Sequence, residues 1–363
     1  MQRKHLVAAF AAVALAGTAL GGPAVADGPS AKPTAKTIVG GLIGPLSLDV
    51  TDNGTVYYSQ NFAGLLNRKK PGKSPKTLYQ APEGTEVGAV SERKGNVRFA
   101  ITKPGPSEFE NGPAFLMGIG DSGKARSLAN LTAYETKKNP DGDVVYNLRG
   151  LPDDCEVPED FQPYEGIVDS HPYATVQTRR STFIADAAGN DILKYNRKGK
   201  LSTVAVLPAQ PILVTEEVAA GAGLPECTVG LKYYFEPVPT DVERGPDGKL
   251  YVTTLPGGPE DPSLGARAAV YRVNPKTGNT KKVASGLLTA TGLAVADNGT
   301  LFVAELFGGR IVKIKPGSQP KTYLSTALPG DVELRGNGDL YATVNVLPSE
   351  EEPPDGRVVR IRN

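Results

Sequence analysis

Beyond its first 26 residues the chain has one histidine, His171, in Asp169-Ser170-His171-Pro172-Tyr173, and two cysteines, Cys155 and Cys227. These counts exclude whole classes of chemistry. A three-His zinc site and a His-rich copper site cannot be assembled. Any Ser-His-Asp catalysis would have to run through His171, whose titration range suits a general base. A packed, hydrogen-bonded turn histidine is the competing reading. A bound metal would need oxygen ligands, which suits Ca²⁺ or Mg²⁺. The chain has no Trp, so sugar rings would have to stack on its 14 Tyr.

The remaining polar candidates fall at strand ends. Second strands of a repeated unit finish on Asn61, Asp186, Thr254, Glu305 and Asn345, and first strands start near Asp169, Asp241 and Asp331. Together with His171 they are expected around one mouth of a central channel. There they would bind a divalent cation or a polar ligand, or pair with one another and with channel water. The run Asp186-Ala187-Ala188-Gly189-Asn190-Asp191 fits a tight hairpin better than a calcium loop.

Positioning these residues requires the repeat itself. GLAVADNGTLFVAELFGGRIVKIKPG (Gly292–Gly317), LSLDVTDNGTVYYSQNFAGLLNRKKPG (Leu46–Gly72) and TDVERGPDGKLYVTTL (Thr240–Leu255) share one pattern. Four short strands recurring at roughly 40 residues are the signature of a propeller blade. Asn-Gly and Asp-Gly pairs at 53–54, 247–248, 298–299 and 337–338 suit hairpin turns that need φ > 0. The expected fold is all-β: a six-bladed β-propeller over 37–363, with blades near 43–84, 85–131, 166–208, 237–289, 290–328 and 329–363. The last has three strands of its own. The segment Thr37–Leu42 is expected to supply the fourth and close the ring, covering two sheet edges.

The first 26 residues read as a signal peptide: Arg3 and Lys4, the apolar stretch Leu6–Leu20, then Ala24-Val25-Ala26. Residues 27–36 read as a disordered leader. The mature protein is then expected to be secreted, with no stable membrane insertion. Losing Arg3 and Lys4 and no acid takes 40 basic side chains to 38 against 39 acidic ones. That balance gives no electrostatic case for nucleic acid. The partner is expected to be a small molecule or an extracellular protein. In an oxidising compartment Cys155 and Cys227 are expected to form a disulfide, with two buried thiols as the alternative.

Loop lengths are asymmetric. Turns between first and second strands are short, as in DNGT and GPDGK, while the long segments 102–113, 131–165, 208–237, 255–267 and 346–356 all fall on the opposite face. Long loops in a compact domain are usually functional. That face, and the channel mouth beneath it, is the expected site. A rigid cap shielding the channel is the rival reading.

Two stretches, PVPTDVERGPDGKLYVTTLPGGPEDPSLGARAAVYRVNP (Pro237–Pro275) and DSHPYATV…FIADAAGNDILKYN (Asp169–Asn196), resemble the ScyD/ScyE family of secreted bacterial propellers. The resemblance implies a six-bladed, TolB-like fold and no assigned reaction. A broader similarity to NHL-repeat proteins and gluconolactonase-type lactonases implies a channel Glu as metal ligand on the first inner strand. Here that place reads Ile43-Gly44-Pro45-Leu46, without an acid. Two functions therefore stand: a secreted binding or scaffold module, or a cation-dependent hydrolase relying on Glu305 or Asp241. A PQQ-type dehydrogenase fits a single histidine poorly.

Overall fold

The computed structural model describes residues 33–107, 110–260, 262–349 and 351–362. The expected signal peptide, 1–26, lies outside them, as does the leader up to residue 32. The chain is all-β and propeller-type, built from four-stranded antiparallel sheets. Five are formed by consecutive strands. Sheet I runs from Leu48–Val50 to Lys76–Gln80, sheet II from Glu86–Arg93 to Ala125–Asn130, and sheet III from Pro172–Gln177 to Leu201–Val206. Sheet IV runs from Pro239–Arg244 to Thr280–Leu287 and sheet V from Ala290–Val295 to Lys321–Ser325. Sheet VI joins Val332–Leu334, Leu340–Val344 and Gly356–Arg362 to the N-terminal strand Thr34–Leu42. This strand begins earlier than expected. Thr34, Ala35 and Lys36 pair with Arg362, Ile361 and Arg360, so the end of the supposed leader is ordered sheet.

Sheet V shows how the sequence produces this stacking. Side chains alternate across a strand, and here both alternating sets are apolar. Leu293, Leu301, Val303 and Val312 pack toward sheet IV, against Val270 and Leu287. Ala294, Phe302, Ala304 and Ile311 face the other way, against Val332, Ala342 and Val359 of sheet VI. Comparable clusters fill the gaps between sheets III and IV, I and II, II and III, and VI and I. The Asn298-Gly299 turn has Gly299 at φ +80°, and Asn298 Oδ1 accepts from the Thr300 amide at 3.0 Å. The first strands pack on one another in order from sheet I to sheet VI, and that of sheet VI contacts that of sheet I.

Polar side chains stitch these inner strands together. Leu48 N donates to Asp331 Oδ2 at 2.7 Å, Leu293 N to Asp241 Oδ2 at 2.6 Å, and Val90 N to Ser47 Oγ at 2.8 Å. Thr175 Oγ1 donates to Ala89 O at 2.7 Å and Thr240 Oγ1 to Ala290 O at 2.8 Å. The approach is close: a β-carbon at Gly292 would stand 2.5 Å from Asp331 Cα.

The long segments are not all loops. The first is mostly strand, since Asn96–Pro104 and Asn111–Ile119 continue pairing out to Pro104 and Asn111. The two largest combine into a sheet of their own. Val145–Arg149 pairs with Tyr164–Glu165 and with Lys232–Phe235, which also pairs with Gln210–Leu213. Helix α1 (Leu131–Lys138), capped by Asn130, leads into this cap, and helix α2 (Glu216–Ala222), capped by Thr215, completes it. The Cys155–Cys227 disulfide, Cα–Cα 5.9 Å, joins the two segments in a core of Leu148, Val157, Val214 and Leu224.

Candidate functional site

The face bearing the cap also carries the one histidine of the described residues. Asn61 directly follows the second strand of sheet I, Glu86 starts sheet II, and His171 directly precedes sheet III. Their side chains form a continuous chain. Asn61 Nδ2 donates to Glu86 Oε1 at 2.8 Å, and His171 Nε2 lies 2.8 Å from Glu86 Oε2. Ser59 Oγ donates to Asn61 Oδ1 and so fixes the amide orientation. Behind His171, its backbone amide donates to Asp186 Oδ1 at 2.7 Å and Ser170 Oγ donates to Asp186 Oδ2 at 2.6 Å. Tyr173 stands edge-on to the imidazole. Gly88 leaves room for the chain, since a β-carbon there would sit 2.8 Å from Asn61 Nδ2.

Glu86 and His171 are each 25% exposed, so solvent reaches a pair that is otherwise enclosed. Burial opposes protonation of His171. The Glu86 carboxylate, with Asp186 and Asp169 behind it, outweighs burial and raises the imidazole to about 9. Burial likewise opposes ionisation of Glu86, but the His171 charge and the His171 and Asn61 hydrogen bonds outweigh it, leaving Glu86 below its ordinary value. At neutral pH the group is an imidazolium–carboxylate pair. With Nε2 engaged, Nδ1–H is the remaining donor, and no hydrogen bond among the described residues reaches it. A protonated, carboxylate-steered imidazole donates to an acceptor oxygen or acts as a general acid. It is a poor general base at that pH.

The other candidates stand apart from this group. Asp169 flanks it, with Oδ2 accepting from Asn111 Nδ2 at 2.9 Å. Asp186 is fully buried and supports His171 from beneath. Asp241 and Asp331 line the inner ring, and each carboxylate is filled by amides from its own strand and the next. Thr254 is buried and accepts from Gln210 Nε2 at 3.0 Å. Glu305 ends the second strand of sheet V, as expected, and is buried; it accepts from Leu288 N at 2.5 Å and pairs with Arg310. Asn345, at φ +51°, donates to Asp355 Oδ2 at 2.8 Å. Among the described residues no three His, Cys, Asp or Glu side chains already stand at metal-ligand spacing.

Glu86 is the residue that sequence reasoning missed. It opens the first strand of sheet II opposite Thr102, outside the register in which Asp241 stands opposite Thr253, so its place in the repeat did not announce it. Asp49, Glu243 and Glu333 were missed too. They sit further along the inner strands, where enclosure, with Glu92 beside it, pushes Asp49 up to about 7, and enclosure with Asp49 and Asp331 nearby pushes the other two well above the usual carboxylate range. Exposed Phe62 directly follows Asn61 and exposed Val168 directly precedes Asp169, placing apolar surface beside the polar chain; exposed Phe307 lies two residues past Glu305, in a turn of sheet V. A concavity of about 560 Å³ lined by Asp143, Val145, Arg149 and Pro163 includes none of these residues.

No family model matches the chain, and no curated protein matches it. Solved structures do. A putative oxidoreductase (glucose dehydrogenase) from Thermus thermophilus aligns at TM-score 0.56 and 13% identity, over 91% of this chain and 100% of that one. A gluconolactonase from Xanthomonas campestris gives 0.53 and 11%, over 90% and 89%. A catalytically inactive virginiamycin B lyase from Staphylococcus aureus with quinupristin gives 0.51 and 12%, over 92% and 99%. What these share with the chain is the propeller fold. The disulfide is consistent with an extracellular protein; among the described residues no helix is long and apolar enough to cross a membrane.

Proposed function

We propose that the chain is a secreted binding protein of ScyD/ScyE type, a six-bladed propeller closed by Thr34–Leu42, whose ligand binds at the capped mouth. The observation that carries this reading is the chain Asn61–Glu86–His171. It is held by three sheets, exposed at its imidazole end, and has one donor left over. The ligand is a polar small molecule, or an extracellular protein segment, that presents a carbonyl or carboxylate oxygen to His171 Nδ1 and an apolar edge to Phe62. Among the acids Glu86 and Asp169 beside it and Asp186 beneath it, His171 is the positive group.

The cation-dependent hydrolase is less well supported. Glu305 and Asp241, on which it relied, already have their oxygens filled. A small-molecule library rich in carboxylates and amides, read through the imidazole resonances of His171, tests the proposal. Ligands that bind should move those resonances, and Glu86→Gln should weaken binding roughly 10- to 150-fold, the ~1.5–3 kcal/mol of a hydrogen bond to a charged group. Ligands that bind elsewhere, leaving the imidazole unmoved, would sink it.

A further inference from the structure

Beneath the cap lies a group of acids that the mouth does not use. Glu135 is on α1, Asp141 follows that helix, and Asp191 starts the third strand of sheet III, across its hairpin from Asp186. All four side chains are fully buried. Glu135 and Asp186 converge on Gly189: a β-carbon there would stand 3.2 Å from Glu135 Oε1 and 3.5 Å from Asp186 Cγ. Asp141 reaches the same hairpin, accepting from Asn190 Nδ2 and from the Tyr146 hydroxyl, each at 3.0 Å. Asp186 has its donors. The others lack them: both oxygens of Glu135, both of Asp191 and Oδ1 of Asp141 have no hydrogen-bond partner, nor has Asn139 Oδ1. A hydroxyl hydrogen bond from Thr203 is the one contact that lowers Asp191; that hydroxyl also lies 2.9 Å from the Tyr134 hydroxyl, and either of the two can donate there.

Buried polar atoms in native proteins are almost always paired, so this concentration of orphans requires an explanation. The ion pairs of the described residues do not involve these acids, and the charges that Glu135 feels from its neighbours are all negative. Protons answer poorly. Each supplies one donor, and these carboxyls make no hydrogen bonds to one another that would use it. A hard divalent cation answers several oxygens at once, and Ca²⁺ takes about 6–8 at roughly 2.3–2.6 Å.

We propose that Glu135, Asp141 and Asp191 bind a hard divalent cation, Ca²⁺ by ligand type and number, which fastens the cap to sheet III. The oxygens do not stand at coordinating spacing in this structure, so binding requires the Glu135 and Asp191 side chains to turn toward the ion. This site is separate from the mouth and does not depend on the ligand proposed there.

The test is titration of the purified, chelator-stripped protein with Ca²⁺ and with Tb³⁺. The chain has no Trp, so sensitised Tb³⁺ emission must come from tyrosine, and Tyr146 touches a proposed ligand. One equivalent should bind, Ca²⁺ should displace Tb³⁺, and EDTA should lower Tm by mass action. Glu135→Gln and Asp191→Asn should each weaken Ca²⁺ binding about 10-fold or more, while Asp241→Asn leaves it unchanged. The proposal is overturned if the wild-type protein takes up no Ca²⁺ and EDTA leaves Tm unmoved, or if both cap variants bind as wild type. Binding lost in Asp241→Asn but kept in Glu135→Gln would move the ion to the channel and overturn it equally. Should Glu135→Gln not fold, Asp191→Asn and the wild-type metal content decide.

Discussion

Two sets of buried carboxylates lie within reach of the same sheets and are served in opposite ways. On the inner ring, Asp241 and Asp331 each take amides from two neighbouring strands. Under the cap, Glu135 and Asp191 take none. Residue type does not separate the sets, and neither does burial. The difference is the supply of backbone donors. An inner strand ends its own pairing at the channel and leaves amides over for a neighbour's carboxylate. The cap has satisfied its amides within its own sheet and helices, so acids placed there must look elsewhere. A carboxylate with donors is a structural clamp, whereas one without them invites a ligand.

Cutting one member from each set sharpens that contrast and gives the largest expected effect. Asp331→Ala leaves the Leu48 and Val332 amides without acceptors. At about 1–3 kcal/mol per orphaned group, the loss should be about 2–5 kcal/mol by denaturant unfolding. Glu135→Gln in excess EDTA removes no hydrogen bond and relieves like-charge crowding, so stability should hold or rise. Equal losses in the two variants would break the comparison.

The disulfide comes next, and it tests whether the cap is a separate unit. It closes a 72-residue separation, for which the chain-entropy model gives about 4 kcal/mol as an upper figure. Replacing Cys155 and Cys227 together by Ser should cost about 2–4 kcal/mol. Amide exchange should speed up in Val145–Arg149 and Lys232–Phe235 while Leu301–Glu305 in sheet V stays protected. Uniform loss of protection would show that cap and sheets unfold as one.

How much of this was legible beforehand follows the same line. The sheets were readable because alternation, turn residues and period agree: Leu293, Leu301 and Val303 announce one face, and Asn298-Gly299 announces the turn. The disulfide was readable from the cysteine count. The cap sheet was not. Its strands are short, and Val145–Arg149 and Lys232–Phe235 pair across more than 80 residues, which no local pattern encodes. The site was half legible. His171 and Asn61 were named, but Glu86, which joins them, was passed over. The partner of Glu305 was not legible: Arg310 follows five residues later across a hairpin, and only the register Glu305↔Arg310 reveals that pairing.

The pH response of the mouth gives a smaller effect with a definite sign. His171 is raised in the folded state to about 9 from an ordinary 6.5. Its contribution is therefore complete below about 6.5 and is lost as pH climbs through about 9. Glu86 is lowered, so its contribution is present above its ordinary 4.5 and is lost as pH falls through its folded value. The pair should stabilise most between these limits. His171→Gln should remove the alkaline decline in Tm between pH 6.5 and 9. An imidazole titrating near 6.5 in the wild-type protein would contradict the ion pair itself.

The smallest stability effect is expected where the functional effect should be clear. Phe62 is 48% exposed and Phe307 is 38% exposed, so neither supplies much core. Phe62→Ser and Phe307→Ser should each change stability by no more than about 0.5 kcal/mol, as for most surface substitutions. Phe62 sits beside Asn61 and faces Gly44, where a β-carbon would lie 2.3 Å from its ring, so its ring is held in place although it is exposed. If the mouth binds a ligand with an apolar edge, Phe62→Ser should weaken that ligand about 3–10-fold, in keeping with the part of a ring left uncovered. Val283→Ser, on the outer strand of sheet IV, should not affect binding. Equal effects at Phe62 and Val283 would remove the distinction between the capped face and the rest of the surface.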